Sequence, residues 1–172
     1  MAVPATTQLS WRPMEAGDLA SVSAVAGIVH TDFFEDDAVL GERLERYPQG
    51  CFVLSDTGAS LLGYAITHPW RLYTLPALNS LLGQLPENPT TYYLHDIALL
   101  PQARGTGAAS EIVSILAGHA QQSGFSTMSL VAVNGSTGFW QRQGFEREVR
   151  LELESKLKTY SDDACFMVRH LG

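Results

Sequence analysis

The sequence has 172 residues, 45% of them hydrophobic and 17% charged, with a formal net charge of −7. This length and composition fit one compact domain that buries about two-thirds of the unfolded chain's surface, and they exclude a largely disordered chain. The acidic balance excludes a broad basic face that binds nucleic acid by neutralising phosphates or anchors on an anionic membrane, and it suits a cationic substrate.

In chain order, residues 1–10 carry no Lys or Arg and lead into no long apolar run, so no signal peptide is expected. No stretch approaches the roughly 20 apolar residues of a membrane helix, and a cytoplasmic protein is expected. Residues 9–13 predict a strand. Asp18 offers a helix cap, and Leu19, Val22, Ala26 and Val29 follow at helical spacing to about His30. An aromatic and acidic loop, 33–37, precedes a second helix carrying Leu40, Leu44 and Tyr47 and ended by Pro48 and Gly50. Residues 51–54 and 61–67 predict a hairpin around Asp56-Thr57-Gly58. Residues 68–90 are irregular and proline-rich, with leucines that predict packing and a short helix near 78–82. Residues 92–100 predict a strong strand closed by Pro101. Ile112, Ile115, Leu116 and His119 mark a helix that Gly124 stops. A buried strand at 128–133 turns at Asn134-Gly135 into a short helix ending near Gly144. Residues 145–153 and 164–171 predict the last two strands, joined by a polar segment. The whole reads as a mixed sheet with helices on its faces, an α/β (mixed α+β) class, in one domain spanning 1–172.

Cys51 and Cys165 lie in apolar runs and read as two buried thiols rather than a disulfide. The five histidines are scattered, without metal-ligand spacing, so no metal is expected.

The chemistry is carried by Tyr93-Leu94-His95-Asp96-Ile97-Ala98-Leu99-Leu100-Pro101-Gln102-Ala103-Arg104-Gly105-Thr106-Gly107-Ala108-Ala109. A strand enters a glycine turn that opens a helix. Such a turn lets backbone approach a ligand, and the free N–H groups at the helix start, with the dipole behind them, face an anion. Arg104 adds a cation at the edge. A Walker loop would need Gly-Lys-Ser/Thr, where Ala108-Ala109 stand. A dinucleotide fingerprint would need a third small residue followed by an acidic one, but no acidic residue lies between Glu111 and Glu146. Ser155-x-x-Lys158 lacks its partner motifs and reads as chance.

The segment resembles motif A of the Gcn5-related N-acetyltransferase family, Gln/Arg-x-x-Gly-x-Gly/Ala, in the register Arg104, Gly107, Ala109. Val131-Ala132-Val133-Asn134 and Gly138-Phe139-Trp140-Gln141-Arg142-Gln143-Gly144-Phe145 resemble motif B, and residues 11–19 resemble the family's start. The resemblance implies a central mixed, mostly antiparallel sheet flanked by helices, with a β-turn-α phosphate-binding unit. It implies acetyl-CoA as co-substrate, a small-molecule or peptide amine acceptor, and a homodimer, the latter being common in the family. It implies that backbone at Ile97, Ala98 and Leu99 pairs with the pantetheine arm and that Arg104, Gly105, Thr106, Gly107, Ala108 and Ala109 bind pyrophosphate. It further implies that Asn134 contacts the cofactor arm and that Phe139 and Trp140 line it. Trp140 stands where the family often has an acidic tyrosine, and an indole supplies no readily transferred proton. A non-catalytic acyl-CoA sensor on the same fold therefore stays open beside the enzyme.

An alkyl amine arrives protonated and needs a base, and histidine titrates near neutrality. The resemblance puts the base at His95 or Tyr93. His95 equally reads as a packed sheet residue, and Tyr93 as pocket wall. Regular alternation places Tyr93, His95, Ile97 and Leu99 on one face and Leu94, Asp96, Ala98 and Leu100 on the other, which leaves Asp96 as runner-up for the base or in a structural hydrogen-bonding role. The developing oxyanion would meet a strand N–H near Ile97. Asp32, Glu35, Asp36 and Asp37 read as a solvated loop or, by resemblance, as an acidic edge of the acceptor site.

Overall fold

A seven-stranded sheet runs through the molecule in the order β1-β2-β3-β4-β5-β7-β6. The computed structural model describes residues 8–172. Residues 1–7, most of the stretch read as carrying no signal peptide, lie outside the described residues. The strands are β1 (Ser10–Pro13), β2 (Cys51–Ser55), β3 (Leu61–Trp70), β4 (Thr91–Leu99), β5 (Thr127–Ala132), β6 (Glu146–Arg147) and β7 (Cys165–His170). Every neighbouring pair is antiparallel except β4 and β5. A parallel pair needs a crossover, which α3 (Ala108–Gln122) supplies.

Helical periodicity divides the core between the two faces. α1 (Leu19–Val29) and α2 (Asp37–Arg46) bury Val22, Val25, Leu40 and Leu44 against Val53, Tyr64, Ile66 and Ala98. On the other face α3 buries Ile112, Val113, Leu116 and Ala120 against Tyr92, Leu94, Met128, Leu130 and Met167. Each fully buried aliphatic side chain contributes about 1.5–3 kcal/mol of burial free energy. Two short helices follow, α4 (Thr137–Arg142) and α5 (Glu154–Lys158). Cys51 and Cys165 are free and buried on β2 and β7, with β3, β4 and β5 between them. No helix among the described residues is long and apolar enough to cross a membrane.

The structure departs from the sequence expectations in three elements. β3 continues through Pro69 to Trp70 rather than ending at Thr67. β2 pairs with it only as far as Ile66, so Pro69 faces no strand on that side and its missing N–H breaks no ladder. Residues 145–153 form only the two-residue β6, and a 3-10 turn at Leu151–Leu153 leads into α5. Val149 and Leu151, which imitate strand alternation, are 70% and 80% exposed. No helix forms near 78–82; the segment 71–90 packs Leu75 and, in part, Leu72, Tyr73 and Leu82 against Phe166 and Val168.

β3 and β4 share the longest register, and it shifts between Ile66 and Thr67. Ile66 faces Asp96 and Thr67 faces Leu94, so His95 is the extra residue of a β-bulge. Gly63 fixes the far end of this pairing. A Cβ there would stand 2.6 Å from the Leu99 side chain and 2.7 Å from the Ala98 carbonyl oxygen. Gly63→Ala is therefore expected to lower stability by about 2 kcal/mol. Urea unfolding measures this, and an unchanged midpoint would show that the β3–β4 spacing is not so constrained.

Candidate active site

The bulge overturns the regular alternation expected of β4. Tyr92 and Leu94 pack on the α3 face, whereas Ala98 packs on the α1 face with Tyr64 and Ile66. Asp96 pairs with Ile66 and accepts a hydrogen bond from the Tyr64 hydroxyl, so it shares that face. His95 lies there too, its ring 6.1 Å from His68 and 6.5 Å from Tyr93. One inserted residue thus puts His95 and Asp96, neighbours in sequence, on the same side of the sheet.

The same stretch borders a split. β4 and β5 pair only at Tyr92–Met128 and Tyr93–Ser129. Beyond Tyr93, the edge of β4 toward β5 has no partner strand. The cleft that opens, about 330 Å³, is lined by Ile97, Ala98, Leu99, Arg104 and Ala109 on one side and by Val131, Asn134, Ser136, Phe139 and Trp140 on the other. Asn134 takes a positive φ of 55°, turning the chain out of β5 into α4. Trp140 sits edge-on to Phe139 and Phe145, with centroids 4.9 and 5.4 Å away.

At one end of the cleft lies the glycine turn. Gly105 and Gly107 have φ of 75° and 84°, which residues with a Cβ rarely adopt, and Gly107 caps α3 in the left-handed conformation. The Thr106 hydroxyl donates to the Ala103 carbonyl at 2.6 Å, and the Trp11 indole donates to the Ala108 carbonyl at 2.9 Å. Among the described residues, the N–H groups of Gly105, Gly107, Ala109 and Ser110 have no acceptor in the chain, and the first helical bond is Glu111 to Gly107. These donors stand at the positive end of a 15-residue helix, beside Arg104. The arrangement suits a phosphate group.

A second, smaller cavity of about 60 Å³ adjoins the cleft. Its walls are Phe33, Glu35, Leu78, Tyr93 and Tyr160, with His30, His95, Asp96, Val131 and Val133 shared between the two spaces. Two imidazole–carboxylate pairs meet there. His95 Nε2 lies 2.8 Å from Glu35 Oε1, and His30 Nε2 lies 2.7 Å from Asp96 Oδ1. An ionised carboxylate only accepts, so each Nε2 carries hydrogen. In neutral His95 this leaves Nδ1 as the lone pair, the tautomer a general base requires. Glu35 also accepts from the Asn79 backbone N–H at 3.3 Å, which ties the pair to the 71–90 segment.

Burial favours neutral forms of His30 and Asp96, but their mutual hydrogen bond and charge outweigh it. His30 is raised above its usual value, and Asp96 is held below the carboxylate range with help from Tyr64. Burial and the charge of His95 push His68 down to about 3, so it packs as a neutral ring. Burial, together with Tyr160, pushes the Tyr93 phenol well above its usual value. Tyr93 thus lines the cavity with its phenol protonated at neutral pH.

Of the expected residues, Ile97, Ala98, Leu99, Arg104, Ala109, Asn134, Phe139 and Trp140 line the cleft, Gly105, Thr106, Gly107 and Ala108 lie in the turn between Arg104 and Ala109, and His30, Tyr64 and Tyr160, which the sequence did not single out, gather near His95, Tyr93 and Asp96. No spacing rule joins His30, at the end of α1, to Asp96, 66 residues away. The acidic loop was the one available signal, and it divides. Glu35 turns inward, Asp36 accepts from the Asn79 side chain at 3.2 Å, Asp37 accepts from Ser23 at 2.6 Å, and Asp32 is exposed. Among the described residues no group of three or more His, Cys, Asp or Glu side chains converges as a metal site.

Residues 9–145 match the family model described as "Acetyltransferase (GNAT) family". A search of curated proteins finds no match. Among solved structures, the chain is similar to the GphF GNAT-like decarboxylase in complex with isobutyryl-CoA, at TM-score 0.81 and 15% identity over 95% of this chain and 100% of that one. It is similar to the NatC complex bound to Gag peptide and CoA, at 0.71 and 17% over 96% and 99%. It is also similar to the ribosomal-protein-S18-alanine N-acetyltransferase from Escherichia coli, at 0.68 and 16% over 96% and 95%. At these identities the likenesses show the fold alone.

The His30–Asp96 pair has a defined pH window. The lowered Asp96 contributes stability above the ordinary carboxyl value of 3.8, lost as pH falls through its folded value; the raised His30 contributes fully below 6.5, lost as pH rises through its folded value. Asp96→Asn is expected to cost about 2 kcal/mol near pH 6 and to flatten the loss of stability above it. Denaturation across pH measures this, and parallel curves for the two proteins would contradict the ion pair.

Proposed function

The chain belongs to the acetyltransferase (GNAT) family, and we propose that it transfers an acetyl group from acetyl-CoA to a primary amine by direct attack in a ternary complex. On this reading residues 1–172 act as one N-acetyltransferase domain in the cytoplasm. The observation that carries the proposal is the junction of two spaces at His95. A cleft ending in unpaired N–H donors suits the phosphate-bearing co-substrate, and a small acid-lined cavity suits the amine.

Acetyl-CoA supplies an activated thioester carbonyl and a thiolate leaving group. The turn from Arg104 to Ala109 holds the pyrophosphate, and the unpartnered edge of β4 at Ile97, Ala98 and Leu99 takes the pantetheine arm. Asn134, Phe139 and Trp140 close the opposite wall. His95, oriented by Glu35, takes the proton from the substrate ammonium through Nδ1, directly or through one water. A strand N–H near Ile97 meets the charge that develops on the carbonyl oxygen. Trp140 donates no proton to the thiolate, but a thiol with a pKa of about 8.5 leaves tolerably near neutral pH.

Acetyl-CoA turnover, read as free thiol with a panel of amines, tests this. His95→Ala is expected to lower turnover by about 100-fold or more while acetyl-CoA affinity persists. Undiminished turnover in the variant would remove His95 from the proton path. Trp140 favours one second reading, an acyl-CoA sensor without catalysis, which predicts tight acetyl-CoA binding and no turnover with any amine.

A further inference from the structure

The small cavity carries a charge pattern that selects among amines. Two carboxylates reach it, Glu35 and Asp96, with side chains only 10% and 14% exposed. Among the described residues no Lys or Arg lines it. Arg43, buried at 1% exposure, feels the charge of Glu35 but does not line the cavity, and its guanidinium hydrogen-bonds to Glu42 at 2.9 Å and the Ser80 carbonyl at 3.1 Å. With both imidazoles neutral the lining carries two negative charges, and with His30 protonated it carries one. A cation is matched there, whereas a second carboxylate would enter a desolvated space with no partner.

Shape narrows the class further. The reacting nitrogen must stand at the wall shared with the cleft, where His30, His95 and Asp96 meet. The carbons behind it lie between Phe33, Leu78 and Tyr160 in a space of about 60 Å³. That is room for about two waters, so the first carbons behind the nitrogen are closely held, a branch at the amine-bearing carbon finds least space, and the rest of a longer chain extends through the open side of the cavity.

Taking this cavity as the acceptor site of the proposed reaction, we propose that it selects an unbranched alkyl ammonium whose amine-bearing carbon holds no carboxylate, and rejects free α-amino acids. A free amine and a lysine side chain share this chemistry. Glu35 is the specificity-determining residue, because it is the inward carboxylate whose hydrogen-bond partners among the described residues are only the His95 ring and the Asn79 N–H, whereas Asp96 is already held by both His30 and Tyr64.

The test separates binding from turnover. The full chain, with CoA present, is titrated calorimetrically with n-butylamine, with L-norvaline (the same carbon chain bearing a carboxylate on the amine carbon), and with Nα-acetyl-lysine amide. n-Butylamine is expected to bind roughly 100-fold more tightly than L-norvaline. Glu35→Gln is expected to reduce that ratio at least about tenfold. Leu78→Trp, which fills the cavity without touching its charges, is expected to abolish binding of n-butylamine. Binding of Nα-acetyl-lysine amide alongside n-butylamine would assign the ammonium to a lysine side chain, and its exclusion would assign it to a free amine. Norvaline binding as well as or better than n-butylamine, or no amine binding at all, would overturn the inference. Selective binding without thiol release from acetyl-CoA would sink the transferase reading and leave the selectivity standing.

Discussion

Two residue pairs, Tyr92–Met128 and Tyr93–Ser129, hold the parallel seam of the sheet, and beyond them β4 and β5 part. An unpaired strand edge is costly unless something satisfies its backbone groups. Here the gap lies beside a helix N-terminus whose N–H groups are also free, so two unsatisfied backbone features border one cleft. The α3 crossover makes this unavoidable. It must leave β4 and return as β5 in parallel, and its start therefore sits at the mouth of the split.

The bulge at His95 works with the split. In a regular strand, consecutive side chains face opposite ways, so His95 and Asp96 could not both reach one face. The extra residue lets His95 and Asp96 share the α1 face, where each meets a partner from another element. Glu35 comes from the loop before α2 and His30 from the end of α1. The two pairs differ in character. His30 and Asp96 form a buried ion pair that Tyr64 completes, and the strength of that pairing suits a structural and orienting role. His95 directs its Nε2 hydrogen toward Glu35, which leaves Nδ1 as the lone pair of the neutral ring. Breaking either pair would leave a charge in a poorly solvated space, which is why both contribute to the fold as well as to the site.

Much of this was legible in the residues, for identifiable reasons. The glycine turn is readable because positive φ and free N–H groups require glycine at fixed positions, and Gly105 and Gly107 supply it. The helices follow from apolar spacing, and α1, α2 and α3 fall where Leu19, Leu40 and Ile112 place them. The bulge was not legible, because a period-two reading assumes an unbroken ladder and the register shift belongs to the pairing with β3. His30 and Tyr64 were missed because His30 reaches Asp96 from the helical layer and Tyr64 from the neighbouring strand, contacts that separation in sequence conceals. Val149 and Leu151 misled in the opposite direction, since alternation alone does not say whether apolar side chains have anything to pack against. The 71–90 segment holds its place through Asn79 and through Glu42, which accepts the backbone N–H groups of Leu82 and Gly83 at 2.6 and 3.1 Å. Irregular backbone of that kind carries no periodic signal.

The central claim is that the co-substrate lies in the β4–β5 split with its phosphates on the start of α3. Titrating CoA into isotopically labelled protein and following the backbone amides tests it most directly. The account predicts that the largest shifts fall on Gly105, Gly107, Ala109 and Ser110 and on Ile97 to Leu99, saturating together at one affinity. Shifts confined to another surface, or none at saturating CoA, would contradict it.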